Sequence, residues 1–138
     1  MKIYYFLVCA LLFSAFAKAQ QTQDTTSVVI PQIYVKAFKG EQVTLGVASV
    51  KLIKVLEDSR CPKGVQCIWA GEAKVLIEVT KRDGSSKQGA YTISQMSTGI
   101  PLFSEDGFVV NLKGLSPYPD SAHKINPEDY FITLDIEN

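Results

Sequence analysis

Histidine is nearly missing from this sequence, cysteine is scarce, and charge of either sign is in balance. His123 is the only histidine, the cysteines are Cys9, Cys61 and Cys67, and 14 basic residues meet 14 acidic ones. Each shortage excludes a class of chemistry. A closed zinc site draws Cys, His or carboxylate ligands in closely spaced pairs. Here the two neighbouring thiols are too widely spaced and His123 lies far downstream, so no metal is expected. A dithiol oxidoreductase uses a Cys-x-x-Cys pair beside a helix start, and none occurs. No Gly-rich phosphate loop or dinucleotide fingerprint is present, so no cofactor is expected. Balanced charge leaves no electrostatic footprint for nucleic acid or for an anionic membrane.

A hydrolytic nucleophile needs a positioned base. The one imidazole sits in "PDSAHKINP", a polar connection where a solvated side chain is the default, with Ser121 two positions away. A small hydrolase using His123 therefore stands as the alternative to a non-catalytic module, and the non-catalytic module is the reading the residues favour.

Long apolar runs are lacking as well. The longest, Tyr4 to Phe16, falls short of the ~20 residues a spanning helix requires. It follows Lys2 and precedes the small-x-small triplet Ala17-Lys18-Ala19, the layout of a secretory signal peptide over residues 1–19. Cys9 follows Val8, where a lipidation signal would place a small residue. The expectation is an exported protein, periplasmic or extracellular, without membrane insertion after cleavage. Loss of Lys2 and Lys18 leaves 12 basic against 14 acidic residues. "QQTQDTT" at residues 20–26 has nothing apolar to bury and reads as a disordered lead-in. Residues 27–138 then form one domain.

What the domain does have is alternation. Ile33, Val35 and Ala37 share a face in "PQIYVKA", as do Val43, Leu45 and Val47 in "QVTLGV". Ala73, Val75, Ile77 and Val79 point one way in "AKVLIEVTK", with Lys74, Glu78 and Thr80 opposite. Phe108, Val110 and Leu112 repeat the pattern, followed by Tyr130, Ile132, Leu134 and Ile136. Period-two patterning over so many segments predicts half-buried strands with almost no helix. In "VKLIKVLE" the phase breaks at Leu52-Ile53, which reads either as a bulge or as a strand buried on both faces. "FKGE", "RDGSS", "EDG" and "SPYP" mark turns, and Asp83-Gly84 is the strongest hairpin signal. Six to eight short strands predict an all-β, immunoglobulin-like β-sandwich, with a Greek-key β-barrel as the alternative. Tyr130, just after an Asn-Pro turn, suits a corner tyrosine bonding back to nearby backbone, or a core-lining ring with its hydroxyl at the rim.

The densest chemistry is in "DSRCPKGVQCIWAGEA", Asp58 to Ala73. With Cys9 removed, Cys61 and Cys67 remain, with five residues between them, and in an exported protein they read as one disulfide. Pro62 sets a turn and Gly64 permits a positive φ, so the ring can close. A redox-sensing use of Cys61 and Cys67 is the other reading. Trp69, the only tryptophan, is expected to pack over the bridge or the core. Arg60 is expected to pair with Asp58 or Glu72 in the bidentate geometry arginine favours. The functional counterpart is a recognition patch made of Arg60, Trp69 and Glu72, since Trp and Arg recur in binding hot spots.

The run "EDSRCPKGVQCIWAGEAKV" resembles a signature of a group of small, exported, largely uncharacterised bacterial proteins. In that group Asp-Ser-Arg-Cys-Pro, a second Cys and Trp-Ala-Gly-Glu-Ala follow a hydrophobic strand. Their Pro-Tyr-Pro-like stretch before a final strand is matched by Pro117-Tyr118-Pro119 and Tyr130–Ile136. The resemblance implies export in a Gram-negative setting and carries no activity. The sequence thus points to a non-catalytic binding or structural module whose partner is an envelope or extracellular protein or glycan.

Overall fold

The structure, a computed structural model, describes residues 32–105 and 107–137. The expected signal peptide over 1–19, with Cys9, and the lead-in over 20–26 lie outside the described residues. Among the described residues eight strands follow in chain order: β1 (Ile33–Phe38), β2 (Gln42–Leu45), β3 (Ala48–Asp58), β4 (Glu72–Lys81), β5 (Ser86–Ser94), β6 (Ile100–Glu105), β7 (Phe108–Ser116) and β8 (Phe131–Glu137). Helical geometry among the described residues is limited to a 3-10 turn at Pro127–Asp129, where the Asn126 side chain accepts a hydrogen bond from Glu128 N.

The strands form two four-stranded antiparallel sheets, β1-β8-β7-β6 and β2-β3-β4-β5. They pack as a sandwich and do not close into a barrel. Within the second sheet every neighbour is consecutive in sequence. The first is a β6-β7-β8 meander to which β1 is added at the far edge of β8. The core lies between the sheets and is built from the predicted inward sets: Val50 and Leu52 of β3, Ala73 to Val79 of β4, Val110 and Leu112 of β7, and Ile132 and Leu134 of β8. Burial of these aliphatic side chains, each worth about 1.5–3 kcal/mol, is the main force joining the sheets.

The broken phase in β3 is a bulge: the register against β4 shifts between Leu52 and Lys54, and again between Val55 and Glu57. Asp83-Gly84 turns β4 into β5, with Lys81 N donating to Ser85 O at 2.8 Å and Asp83 Oδ1 accepting from Ser85 N. One turn escaped the sequence pattern. Leu45 pairs with Ala48, so Gly46-Val47 is a two-residue connection between β2 and β3, and Gly46 takes φ +64° there.

The face of β8 turned away from the core carries an unusual residue. Asp135, flanked by Tyr34 on β1 and Asn111 on β7, is fully buried, and its carboxylate accepts no hydrogen bond among the described residues. Lys113 Nζ lies 3.6 Å from Oδ2 and donates to Thr98 O at 2.8 Å.

Candidate functional site

β3 and β4 run to the end of their ladder at Asp58 and Ala73, and residues 59–71 connect them at one end of the sandwich. The base of this connection is stitched like a continued hairpin. Ser59 N and Oγ both donate to Glu72 O, at 2.8 and 2.9 Å, Glu72 N donates to Ser59 Oγ, and Cys61 N donates to Ala70 O. Only glycine fits at position 71: its φ is +69°, and a Cβ would stand 1.9 Å from Ser59 O. Further out, Cys61 and Cys67 are joined by the disulfide, their Cα atoms 5.9 Å apart.

Arg60 turns inward beneath this ring and is 7% exposed. Its Nε donates to Asp58 Oδ1 and its Nη2 to Asp58 Oδ2, both at 2.7 Å; of the two expected partners, Asp58 and Glu72, the bidentate pairing is made with Asp58. Nη1 donates to Leu115 O at 2.6 Å and Nη2 also to Pro117 O at 2.9 Å. The guanidinium therefore ties the loop to the C-terminal end of β7 in the other sheet. Tyr118 lies against it, with the Arg60 Cζ 4.9 Å from the ring centroid. Lys63 N donates to Pro119 O and Ser121 N to Lys63 O, a short parallel bridge between the two loops. The disulfide loop and the Pro117-Tyr118-Pro119 stretch thus meet in space.

Tyr130 completes the cluster. Its hydroxyl donates to Asp58 Oδ2 at 2.9 Å, across 72 positions of sequence, so the corner-tyrosine bond to nearby backbone is replaced by a bond to a carboxylate of the facing sheet. Burial pushes the Asp58 carboxyl up, but the hydrogen bonds from Arg60 and Tyr130 and the Arg60 charge outweigh it and hold Asp58 below the ordinary value of 3.8. Burial, then the hydrogen bond to Asp58 and its charge, push the Tyr130 hydroxyl up to about 12. Near neutrality Asp58 is thus held as the carboxylate and Tyr130 as the neutral phenol.

The outer part of the loop is the reverse of this. Trp69 is 81% exposed and Ile68 92%, which corrects the expectation that Trp69 packs over the bridge or core. The physical reason is the Cys61–Ala70 closure: residues 62–69 lie beyond it, outside a core that the strands already fill. Val65 is also exposed on this loop. Met96, 91% exposed, follows β5 at the same end of the sandwich, because Ser94 pairs with Glu72 at the start of β4. Gln95 beside it donates to the Tyr118 hydroxyl at 3.1 Å.

Of the three residues expected to form a recognition patch, Arg60 is therefore withdrawn into the interior and spends its donors there. Trp69 projects outward. Glu72 is half-buried at the loop base, where its Oε1 sits 3.3 Å from Lys74 Nζ. Sequence reasoning missed Val65, Ile68 and Met96 as surface, and Tyr118 and Leu115 as partners of Arg60. His123 and Ser121 lie on the exposed connection between β7 and β8, and His123 makes no hydrogen bond among the described residues. Among those residues no three His, Cys, Asp or Glu side chains gather as a metal site, and no helix is long and apolar enough to cross a membrane. No protein-family model, curated protein or solved structure matches this chain.

Proposed function

We propose that the chain is an exported, non-catalytic binding module that docks on a protein of the envelope or the extracellular space through the tip of its disulfide loop. The observation that carries this reading is the exposure of Ile68 and Trp69 on a loop that a disulfide closes and Arg60 ties to the facing sheet. Large apolar side chains left in water cost stability and recur at interaction sites. Tryptophan is enriched among binding hot spots. The disulfide below and the Arg60 clamp beneath it fix the loop before any partner arrives, so little conformational freedom is lost on docking. Export is supported by the N-terminal pattern and by a disulfide of the kind oxidising compartments preserve.

The test is cross-linking from the loop. A photoreactive residue at Val65 should capture a protein partner on the surface of the producing cells. The Ile68→Ser, Trp69→Ala double variant, with unchanged thermal unfolding, should lose that partner. A partner retained by the double variant would refute the assignment, and a ligand found to be a glycan would replace the partner class.

A further inference from the structure

The sandwich is closed along one side and open along the other. On the β1/β2 side Lys39 bridges to Leu52, and Gly40 N donates to Leu52 O. On the opposite side lie β5 and β6, the edge strands of their respective sheets. Between them runs a cleft of about 350 Å³. Val79, Tyr91, Leu102 and Phe103 supply its apolar walls, and Lys81 and Lys87 stand at its mouth. Position 89 carries no side chain, and the Tyr91 ring lies alongside, so close that a Cβ there would come within 3.0 Å of it.

The four edges are not equally protected. β2 has only four residues, and β6 carries Pro101 and a register shift beside it. β1 is six residues long and is tied down just past its end by the Lys39–Leu52 bridge. β5 has nine residues, no proline and an unbroken register against β4. Short strands, prolines and bulges are the usual guards against added strands, and β5 has none of these. Lysine is a further guard, but Lys87 stands at the strand's beginning and leaves the remainder uncovered.

We propose that β5 takes an extended peptide as a fifth, antiparallel strand of its sheet, with alternate apolar side chains of the peptide in the cleft and its C-terminal carboxylate at Lys87. Direction follows from the strand. An antiparallel guest brings its C-terminal end to the beginning of β5, where Ser86 and Lys87 lie. Charge complementarity selects the occupant. Lys81 is already 3.6 Å from Glu105, whereas Lys87 has no ion pair among the described residues, leaving one uncompensated cation where the guest chain ends. Main-chain hydrogen bonds to β5 provide affinity and the cleft reads alternate side chains. The site is independent of the loop tip, because the cleft opens beside Ser85 and Ser86 at the other end of β5.

The experiment uses the mature chain and a pool of synthetic hexapeptides alternating Val, Ile or Leu with Thr, prepared with free and with amidated C-termini. Backbone amide shifts are followed during titration. The expected result is binding of the free-acid pool below millimolar concentration, with shifts concentrated on residues 86–94 and on Leu102 and Phe103. Amidation of the peptide, or Lys87→Ala in the protein, should weaken binding about tenfold, and N-methylation of alternate peptide amides should abolish it. Absence of binding at millimolar peptide, shifts located elsewhere, or equal affinity for acid and amide would each overturn the proposal. Concentration-dependent dimerisation through β5 without peptide would also overturn it and make a second copy the occupant.

Discussion

Replacing Arg60 by alanine would remove a side chain that joins the disulfide loop to the facing sheet. Four hydrogen bonds of 2.6 to 2.9 Å would be lost, two to Asp58 and one each to Leu115 O and Pro117 O. Asp58 would keep the Tyr130 hydroxyl and the backbone N–H of position 60, the latter at 3.4 Å, while its side chain is 9% exposed, so a nearly buried carboxylate would face the interior without its counter-ion. Breaking a buried ion pair from one side costs about 3–5 kcal/mol. With a urea m-value of about 1.5 kcal/mol/M for a domain of this size, the unfolding midpoint should fall by roughly 2–3 M. The partner substitutions separate charge from shape. Arg60→Met combined with Asp58→Leu should recover most of the loss, because an apolar pair of similar volume leaves no orphaned charge. A midpoint shift equivalent to less than about 1 kcal/mol for Arg60→Ala, or strict additivity between changes at positions 58 and 60, would refute the clamp.

Trp69→Ala should change stability by less than about 0.5 kcal/mol, as for other exposed positions; because the chain has one tryptophan, red-shifted emission with ready quenching by acrylamide is the direct check of its exposure. Replacing Cys61 and Cys67 by serine should lower the unfolding free energy by about 2 kcal/mol, the loop-closure value for a ring of this size, measured by urea titration without reductant. Asp58 and Tyr130 set opposite limits to the stable pH range. The depressed carboxyl contributes stability that is complete above its ordinary 3.8 and is lost as pH falls through the lower folded value. The phenol, raised from 10.0 to about 12, contributes stability that is complete below 10 and declines as pH rises towards 12. Asp58→Asn should flatten the acid limb, and an ultraviolet titration should find a tyrosine that ionises only as pH approaches 12.

The strands were legible because burial imposes a period of two: the inward set of β4 runs Ala73, Val75, Ile77, Val79 without a slip, and the slip in β3 marked its bulge. The Gly46-Val47 turn was hidden by the same rule, since Leu45 and Val47 stay in phase across it. Arg60 was read as a partner of Asp58 or Glu72, and near neighbours are readable. Its carbonyl acceptors 55 and 57 positions away, and the Tyr130 hydroxyl 72 positions from Asp58, depend on how two sheets stack and leave no local trace. For Trp69 a signal was present. Ile68 and Trp69 sit in a bend outside the strands, where no alternation assigns an inward face, so large apolar character alone was a poor guide to direction.

The order in which the two sheets acquire their strands has a consequence for biogenesis. Each ladder of the second sheet joins consecutive strands, so that sheet, with the ring between β3 and β4, is assembled from contacts local to residues 42–94. Local contacts form early in a chain that emerges N-terminus first. The first sheet waits: β1 pairs with β8, Ile33 opposite Ile136, so β1 has no ladder partner until β8 is made. Arg60 waits too, since Leu115, Pro117 and Tyr130 arrive only with the last third of the chain. A nascent chain can thus oxidise Cys61 and Cys67 while the guanidinium is still unanchored. A chain stopped before β8 would carry the finished ring on a half-built sandwich, with the apolar faces of β3 and β4 open to aggregation or to a chaperone.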